Sequence, residues 1–214
     1  MRQLLWLVVG VAVLGMAIPA LAQDDVTQPG DLIELVNGVN DGDGNSGPPP
    51  GAETVNHAID NVTQKYLNFL DLGSGFKVTP SIGPTVLSGI RLYTANDAEE
   101  RDPASVLLEG SNDGSSFTEI FSSDLELPSS RNSGGSIPID PTTQNLQELA
   151  FDNTAHYSVY RVTFPTLKNA GAANSMQIAE VELLGEVYVP EPSTIVLAGF
   201  AVAALAVQGI RRRK

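Results

Sequence analysis

The chain has 214 residues, with 12 Lys or Arg against 25 Asp or Glu, and it has no cysteine. A net charge of −13 argues against nucleic acid or anionic lipid as a partner of the surface as a whole, and the missing cysteine excludes a disulfide framework and a thiol nucleophile. Setting aside Arg2 and the four cations Arg211–Lys214 leaves 7 basic residues against 25 acidic ones, about −18, on the part in between, a surface that attracts divalent cations.

Met1-Arg2-Gln3, the apolar run Leu4 to Ile18 and Ala20-Leu21-Ala22 have the n-region, h-region and A-x-A site of a secretory signal peptide. Residues 1–22 are therefore expected to be removed; an uncleaved N-terminal anchor is the alternative, disfavoured by the helix-breaking Pro19. Residues 23–52 form a lead-in and linker with one short strand at Leu32–Val36. Within it, Asp41, Asp43 and Asn45 match the first three acidic positions of a calcium-binding EF-hand loop. Ser46 stands where that loop needs glycine, Ala52 where it needs the bidentate glutamate, and Pro48–Pro50 forbid an exit helix. A Gly/Asp/Pro linker is the expectation there.

From Glu53 the chain changes to short runs of Val, Ile, Tyr, Phe and Thr broken by Gly, Pro, Asn and Asp, an all-β pattern. Val86 to Tyr93 puts Val86, Ile90 and Leu92 on one face, and Tyr160, Val162 and Phe164 repeat at period two, so one face of each run is core. Val106–Gly110 and Phe117–Phe121 flank Asn112-Asp113-Gly114, which predicts a hairpin. Met176 to Val187 is the last strand. Strands at this spacing over 53–187 predict a sandwich or jelly roll.

The chain ends in Val189-Pro190-Glu191-Pro192-Ser193, an uncharged run from Thr194 to Val207, and Arg211-Arg212-Arg213-Lys214. Thr194 to Ile210 just reaches the roughly 17 residues a single membrane helix needs, and the basic end favours a cytoplasmic C-terminus. Residues 189–214 resemble the PEP-CTERM sorting signal of exopolysaccharide-producing bacteria, with Pro190, Glu191 and Pro192 as its motif. The resemblance implies an exortase-type processing enzyme as partner, transient anchoring in the inner membrane, and delivery to the envelope or extracellular matrix. An ordinary tail anchor that is never cut is the alternative.

Two further stretches resemble galactose-binding-like, discoidin-type domains: Asn56 to Phe69, with Ala58-x-Asp60 followed by Lys65-Tyr66-Leu67-Asn68, and Ile178-Ala179-Glu180-Val181-Glu182-Leu183 near the end. The segments Thr94–Ser105 and Glu109–Gly114 look like the middle hairpin of the same fold. The resemblance covers Glu53 to Glu186 and implies a jelly-roll sandwich with a structural calcium. Asp60, Thr63 and Glu180 are the ligands it implies, oxygen donors of the kind a hard cation requires. The length of this loop leaves the register of Thr63 open. An Asx turn at Asp60 and an outward-facing Glu180 are the readings without metal.

Only His57 and His156 are present as histidines, and no nucleophile elbow or zinc spacing accompanies them; a random carboxylate pair is nearly guaranteed in so acidic a chain. The expectation is a protein that is not an enzyme, a secreted hydrolase being the weakest alternative. Asn96, Asp97, Arg101 and Asp102 mix the amide, carboxylate and guanidinium groups that hydrogen-bond sugar hydroxyls, on a loop where binding tends to sit. The competing reading is a local ion pair of Arg101 with Asp102, Glu99 or Glu100. Tyr93 or Tyr66 would add an aromatic platform only by pointing outward. The expected partner is exopolysaccharide or another glycan, with no nucleic acid; a purely structural surface or matrix protein is the runner-up.

Overall fold

The structure is a computed structural model that describes residues 24–36, 52–69 and 72–190. The expected signal peptide, the Asp41/Asp43 loop, and the sorting tail beyond Pro190, including Glu191 and Pro192, lie outside these residues. Among the described residues, eleven strands run in chain order: β1 (Asp24–Asp25), β2 (Leu32–Val36), β3 (Tyr66–Asn68), β4 (Ser74–Thr79), β5 (Thr85–Tyr93), β6 (Ser105–Ser111), β7 (Thr118–Asp124), β8 (Leu146–Ala150), β9 (Val159–Phe164), β10 (Met176–Ile178) and β11 (Glu180–Val187). Single 3-10 turns at Val55–Ala58 and Glu99–Arg101 are the helical elements among the described residues.

A four-stranded sheet, β1-β11-β5-β8, faces a five-stranded sheet, β2-β4-β9-β6-β7, and β10 pairs separately with β3. Every pairing between these strands is antiparallel. Period-two alternation sends Tyr160, Val162 and Phe164 of β9 and Phe76 and Val78 of β4 inward against Leu87, Ile90, Leu92, Val181 and Leu183 of the other sheet, all fully buried. Each such side chain contributes about 1.5–3 kcal/mol. Phe121 of β7 stacks on Phe151, just past β8, with ring centroids 4.6 Å apart, closing the gap between two edge strands. Gly75 on β4 lies so close to Val162 O of β9 that a Cβ there would collide with backbone.

Three expectations change. The domain does not begin at 53: β1 pairs Asp24 with Gly185 and Asp25 with Leu184, and β2 pairs with β4 along its whole length, so the presumed lead-in supplies an edge strand to each sheet. Val86 is not on the core face. Leu184 pairs with Gly89 and Gly185 with Leu87, which skips Ser88; this bulge reverses the alternation, so Leu87 rather than Val86 joins Ile90 and Leu92 inside. The last strand is two, because Ala179, whose N–H donates to Tyr93 O, marks the point where the chain leaves β3 and joins β5.

Candidate functional site

Loops from five places converge at the end of the sandwich where β5 finishes and β11 starts: residues 59–65, 94–104, 125–145, 165–175 and the β10–β11 junction. The turn at Val55–Ala58 sets His57 three residues before Asp60, and His57 Nδ1 lies 2.5 Å from Asp60 Oδ2. Asp60 Oδ1 accepts from Val62 N–H at 3.2 Å. Asn61 adopts φ 61°, a left-handed conformation Asn tolerates, and its N–H donates to Glu180 Oε2 at 3.1 Å. Asp60 and Glu180, far apart in sequence, are thereby brought together.

Glu180 is not outward-facing. It is fully buried, and its Oε1 has no hydrogen-bond partner among the described residues. Burial, then the neighbouring Asp60 charge, pushes its carboxyl up to about 10. Glu182 and Asp25 continue the acidic row. Glu182 Oε2 accepts from Tyr93 Oη at 3.0 Å and from the Arg91 guanidinium, which also binds Glu148 at 2.7–2.8 Å. Asp25 Oδ1 accepts from Thr27 N, Thr27 Oγ1 and Leu183 N, whereas Oδ2 is buried without a partner among the described residues. Burial raises the Asp25 carboxyl to about 7 against the Thr27 hydrogen bonds.

Thr63 is buried too, but its hydroxyl donates to Gly135 O at 2.9 Å and its N–H to Ile137 O at 2.9 Å, tying two loops rather than facing either carboxylate. Among the described residues no group of three or more His, Cys, Asp or Glu side chains is placed to hold a metal. A cation between Asp60 and Glu180 would therefore need main-chain carbonyls to complete its oxygen set.

The four loop residues separate into different roles. Asn96 and Asp97 are exposed. The Asp97 carboxylate takes the buried Lys65 Nζ at 2.7 Å, and its carbonyl accepts from Gln177 Nε2 at 2.5 Å, so its backbone is fixed from two sides. Asp102 is not a ligand contact. It is fully buried and chelated by Arg131, NH1 to Oδ1 at 2.8 Å and NH2 to Oδ2 at 2.7 Å, with Lys168 Nζ at 3.3 Å. Lys168 also reaches Glu99 at 3.1 Å, and hydrogen bonds from Ser129 and then Lys168 lower the Glu99 carboxyl. The local ion pair expected for Arg101 is absent among the described residues, where its Nε is buried without a partner; Glu99 and Asp102 are taken by Lys168 and Arg131, from loops sequence spacing does not connect to it.

Tyr66 and Tyr93 point inward. Tyr66 Oη donates to Gly75 O at 3.1 Å and accepts from Asn68 Nδ2 at 2.6 Å, while Tyr93 serves Glu182. One concavity at this end, of about 320 Å³, lies between Glu99, Glu100, Lys168 and Asn169; another is a cleft of about 270 Å³ lined by Thr63, Arg131, Asn132, Ser133, Ile137, Thr143, Gln144 and Asn145. Asn132 braces it, donating to Thr94 O at 2.9 Å and Asn145 O at 2.8 Å and accepting from Asn145 N–H at 2.7 Å. Sequence reasoning missed this cleft, since its Ser/Thr/Asn/Gln content reads as an ordinary polar loop. The second histidine, His156, lies at the opposite end of the sandwich, stacked on Tyr188 at 3.7 Å.

The fold has close counterparts in solved structures. A family 32 carbohydrate-binding module of NanJ from C. perfringens, in complex with galactose, superposes with TM-score 0.50 at 12% identity, covering 72% of this chain and 93% of that one. A third such module of a family 31 glycoside hydrolase from Clostridium perfringens gives 0.53 at 13%, covering 73% and 95%. The C-terminal domain of a chitobiase from Bacteroides fragilis gives 0.51 at 15%, covering 78% and 100%. A comparison with curated proteins finds no match. Residues 189–213 match the PEP-CTERM protein-sorting motif, including the Pro190, Glu191 and Pro192 read from sequence. The chain thus joins a β-sandwich, whose neighbours among solved structures include family 32 carbohydrate-binding modules, to a C-terminal PEP-CTERM sorting motif, the mark of a protein exported toward the envelope or the extracellular space.

Proposed function

We propose that the sandwich is a non-catalytic glycan-binding module, sorted by an exortase-type enzyme to the envelope or matrix, with exopolysaccharide as its ligand. The observation that carries this reading is the braced polar cleft beside the exposed Asn96 and Asp97. Ser133, Thr143 and Gln144 offer hydroxyl and amide groups able to exchange hydrogen bonds with sugar hydroxyls. Ile137, 46% exposed, gives the cleft an apolar wall in place of an aromatic one. A volume of about 270 Å³ suits one sugar ring with the rest of the chain in solvent. The likeness to a module whose structure holds galactose favours the same ligand class.

A calcium ion at Asp60 and Glu180 belongs to the same reading. The partnerless Glu180 Oε1 beside a second carboxylate is the donor set a hard cation takes up. The bound ion would neutralise the acidic start of β11 and stiffen the 59–65 loop at one side of the cleft.

A glycan array probed with residues 24–190, followed by calorimetry on hits, tests the assignment. Saturable binding weakened by Ser133→Ala and Thr143→Ala, both exposed cleft residues, at unchanged melting temperature, is the expected outcome. Binding to no glycan would leave the structural surface protein, which the inward-pointing Tyr66 and Tyr93 favour.

A further inference from the structure

The opposite end of the sandwich carries a feature the glycan reading does not use. Of the large apolar side chains exposed among the described residues, four gather there: Leu32 (62%), Ile82 (42%), Val187 (47%) and Val189 (73%). Their proximity follows from the pairing. Leu32 lies opposite Thr79, and Asp31 Oδ1 accepts from Ser81 N–H at 2.9 Å, which sets β2 beside the 80–84 loop. Ile82 and Val187 line one cleft of about 290 Å³ with Asp24, Asp25, Val26, Gly185 and Glu186. Tyr188 N–H donates to Pro84 O at 2.8 Å, so the chain is held to this end up to two residues before Pro190.

We propose that this end rests on a lipid surface while the chain is held by its C-terminal apolar segment, with Leu32, Ile82, Val187 and Val189 as the contacts. The inference rests on the anchored stage of the sorting reading. Its physical basis is reach. The uncharged run begins at Thr194, and the residues between Pro190 and Thr194 span at most about 14 Å when fully extended. A sandwich fixed to within two residues of Pro190 cannot swing far from a bilayer entered at Thr194. The N-terminal side agrees, because β1 pairs with the end of β11: a chain still carrying its signal peptide would approach the membrane at this same end.

Apolar side chains exposed within that distance of a bilayer bury area by entering its interface. Asp24 and Glu186 in the same cleft make the preferred lipid zwitterionic rather than anionic, since like charges repel. The polar cleft around Ser133 and Gln144 then points away, about 30 Å out by the nine-residue length of β5 at roughly 3.3 Å per residue. A glycan is accessible before the tail is cut, and cutting leaves the apolar rim exposed.

The only tryptophan, Trp6, lies outside the described part, so a Trp6→Phe background gives a silent reference. Full-length protein carrying Ile82→Trp, Leu32→Trp or Ile137→Trp would be reconstituted in phosphatidylcholine vesicles with and without brominated acyl chains. The expected result is flotation with the vesicles, loss of most fluorescence from Ile82→Trp and Leu32→Trp in brominated lipid, and no loss from Ile137→Trp at the far end. Flotation with equal quenching at both ends, or with none, overturns the orientation while leaving the anchor intact. Protein that does not float overturns the anchored stage and this inference together. Weaker quenching after adding phosphatidylglycerol is the further expectation set by Asp24 and Glu186; stronger quenching would refute the assignment of a zwitterionic surface.

Discussion

Replacing Glu180 with glutamine separates the cost of a buried carboxylate from the gain of a metal. In the native chain without cation, burial and the Asp60 charge hold the Glu180 carboxyl at about 10, against an ordinary 4.5. Below the ordinary value both folded and unfolded states are protonated. Between the two values the native state keeps a proton that the unfolded state has lost, so stability falls as pH rises toward 10. Glu180→Gln resembles the protonated form and keeps an oxygen for the Asn61 N–H. In chelator at pH 8 it should therefore melt at or above the parent, and the difference should shrink toward pH 5. Calcium reverses the order. A cation must displace the proton from Glu180, so its affinity rises with pH. At a hundredfold excess over Kd it stabilises the parent by about 2.7 kcal/mol, roughly 5–11 °C for a domain of this size at 2–4 °C per kcal/mol, and leaves Glu180→Gln unmoved. Differential scanning calorimetry in calcium and in chelator at pH 5, 7 and 8 reads both effects. A parent that melts identically in the two buffers refutes the metal, and a calcium shift that survives in Glu180→Gln refutes this carboxylate as its ligand.

Arg131→Met leaves the buried Asp102 with Lys168 alone; breaking a buried pair costs about 3–5 kcal/mol, so the melting temperature should drop by roughly 6 °C or more, whereas Glu99→Ala, on an exposed group, should change it little. Asp25, held at about 7 against an ordinary 3.8 by burial, lowers stability as pH rises from about 4 to about 7; urea titrations across that range should show the slope reduced in Asp25→Asn, and an unchanged slope would clear Asp25 of it. Replacing Pro190, Glu191 and Pro192 together with alanine should block processing, so that mass spectrometry of envelope fractions finds chains ending at Lys214 in place of termini near Pro190 to Ser193.

Local chemistry made the β6–β7 hairpin legible. Asp113 Oδ1 accepts from Ser115 and Ser116 N–H at 2.8 and 2.7 Å, and Gly114 takes φ 71°. Both are properties of Asp-Gly that no distant residue has to supply. The inward Tyr160, Val162 and Phe164 were legible for a similar reason, since β9 is paired on both sides and free of bulges, and period two survives along it. In β5 the same reasoning failed at Ser88, because the bulge arises from pairing with β11, almost a hundred positions away. β1 failed for want of length. Two residues carry no periodicity, and it is the pairing of Asp24 and Asp25 with Gly185 and Leu184, reinforced by the Asp25 carboxylate on Leu183 N–H, that makes the segment part of a sheet.

The candidate site divides along the same line. Asp60 and Glu180 were named together only through a resemblance, since nothing in their spacing brings them together; it is the left-handed Asn61 and its bond to Glu180 that does. Composition also marked residues 96–102 as a loop rich in sugar-binding chemistry, yet the same amide and carboxylate groups can build the loop instead of serving a ligand. Burial decides which. Asp102, closed off by Arg131 and Lys168, joins the 94–104 loop to its neighbours at 125–145 and 165–175, and Asp97, bound to Lys65 and Gln177, joins it to the 59–65 loop and β10. A wall fixed in this way gives up less conformational freedom when a ligand arrives. On the proposed glycan reading, the charged residues that sequence offered as contacts would act on affinity indirectly, by holding still the neutral Ser, Thr and Gln groups of the adjoining cleft.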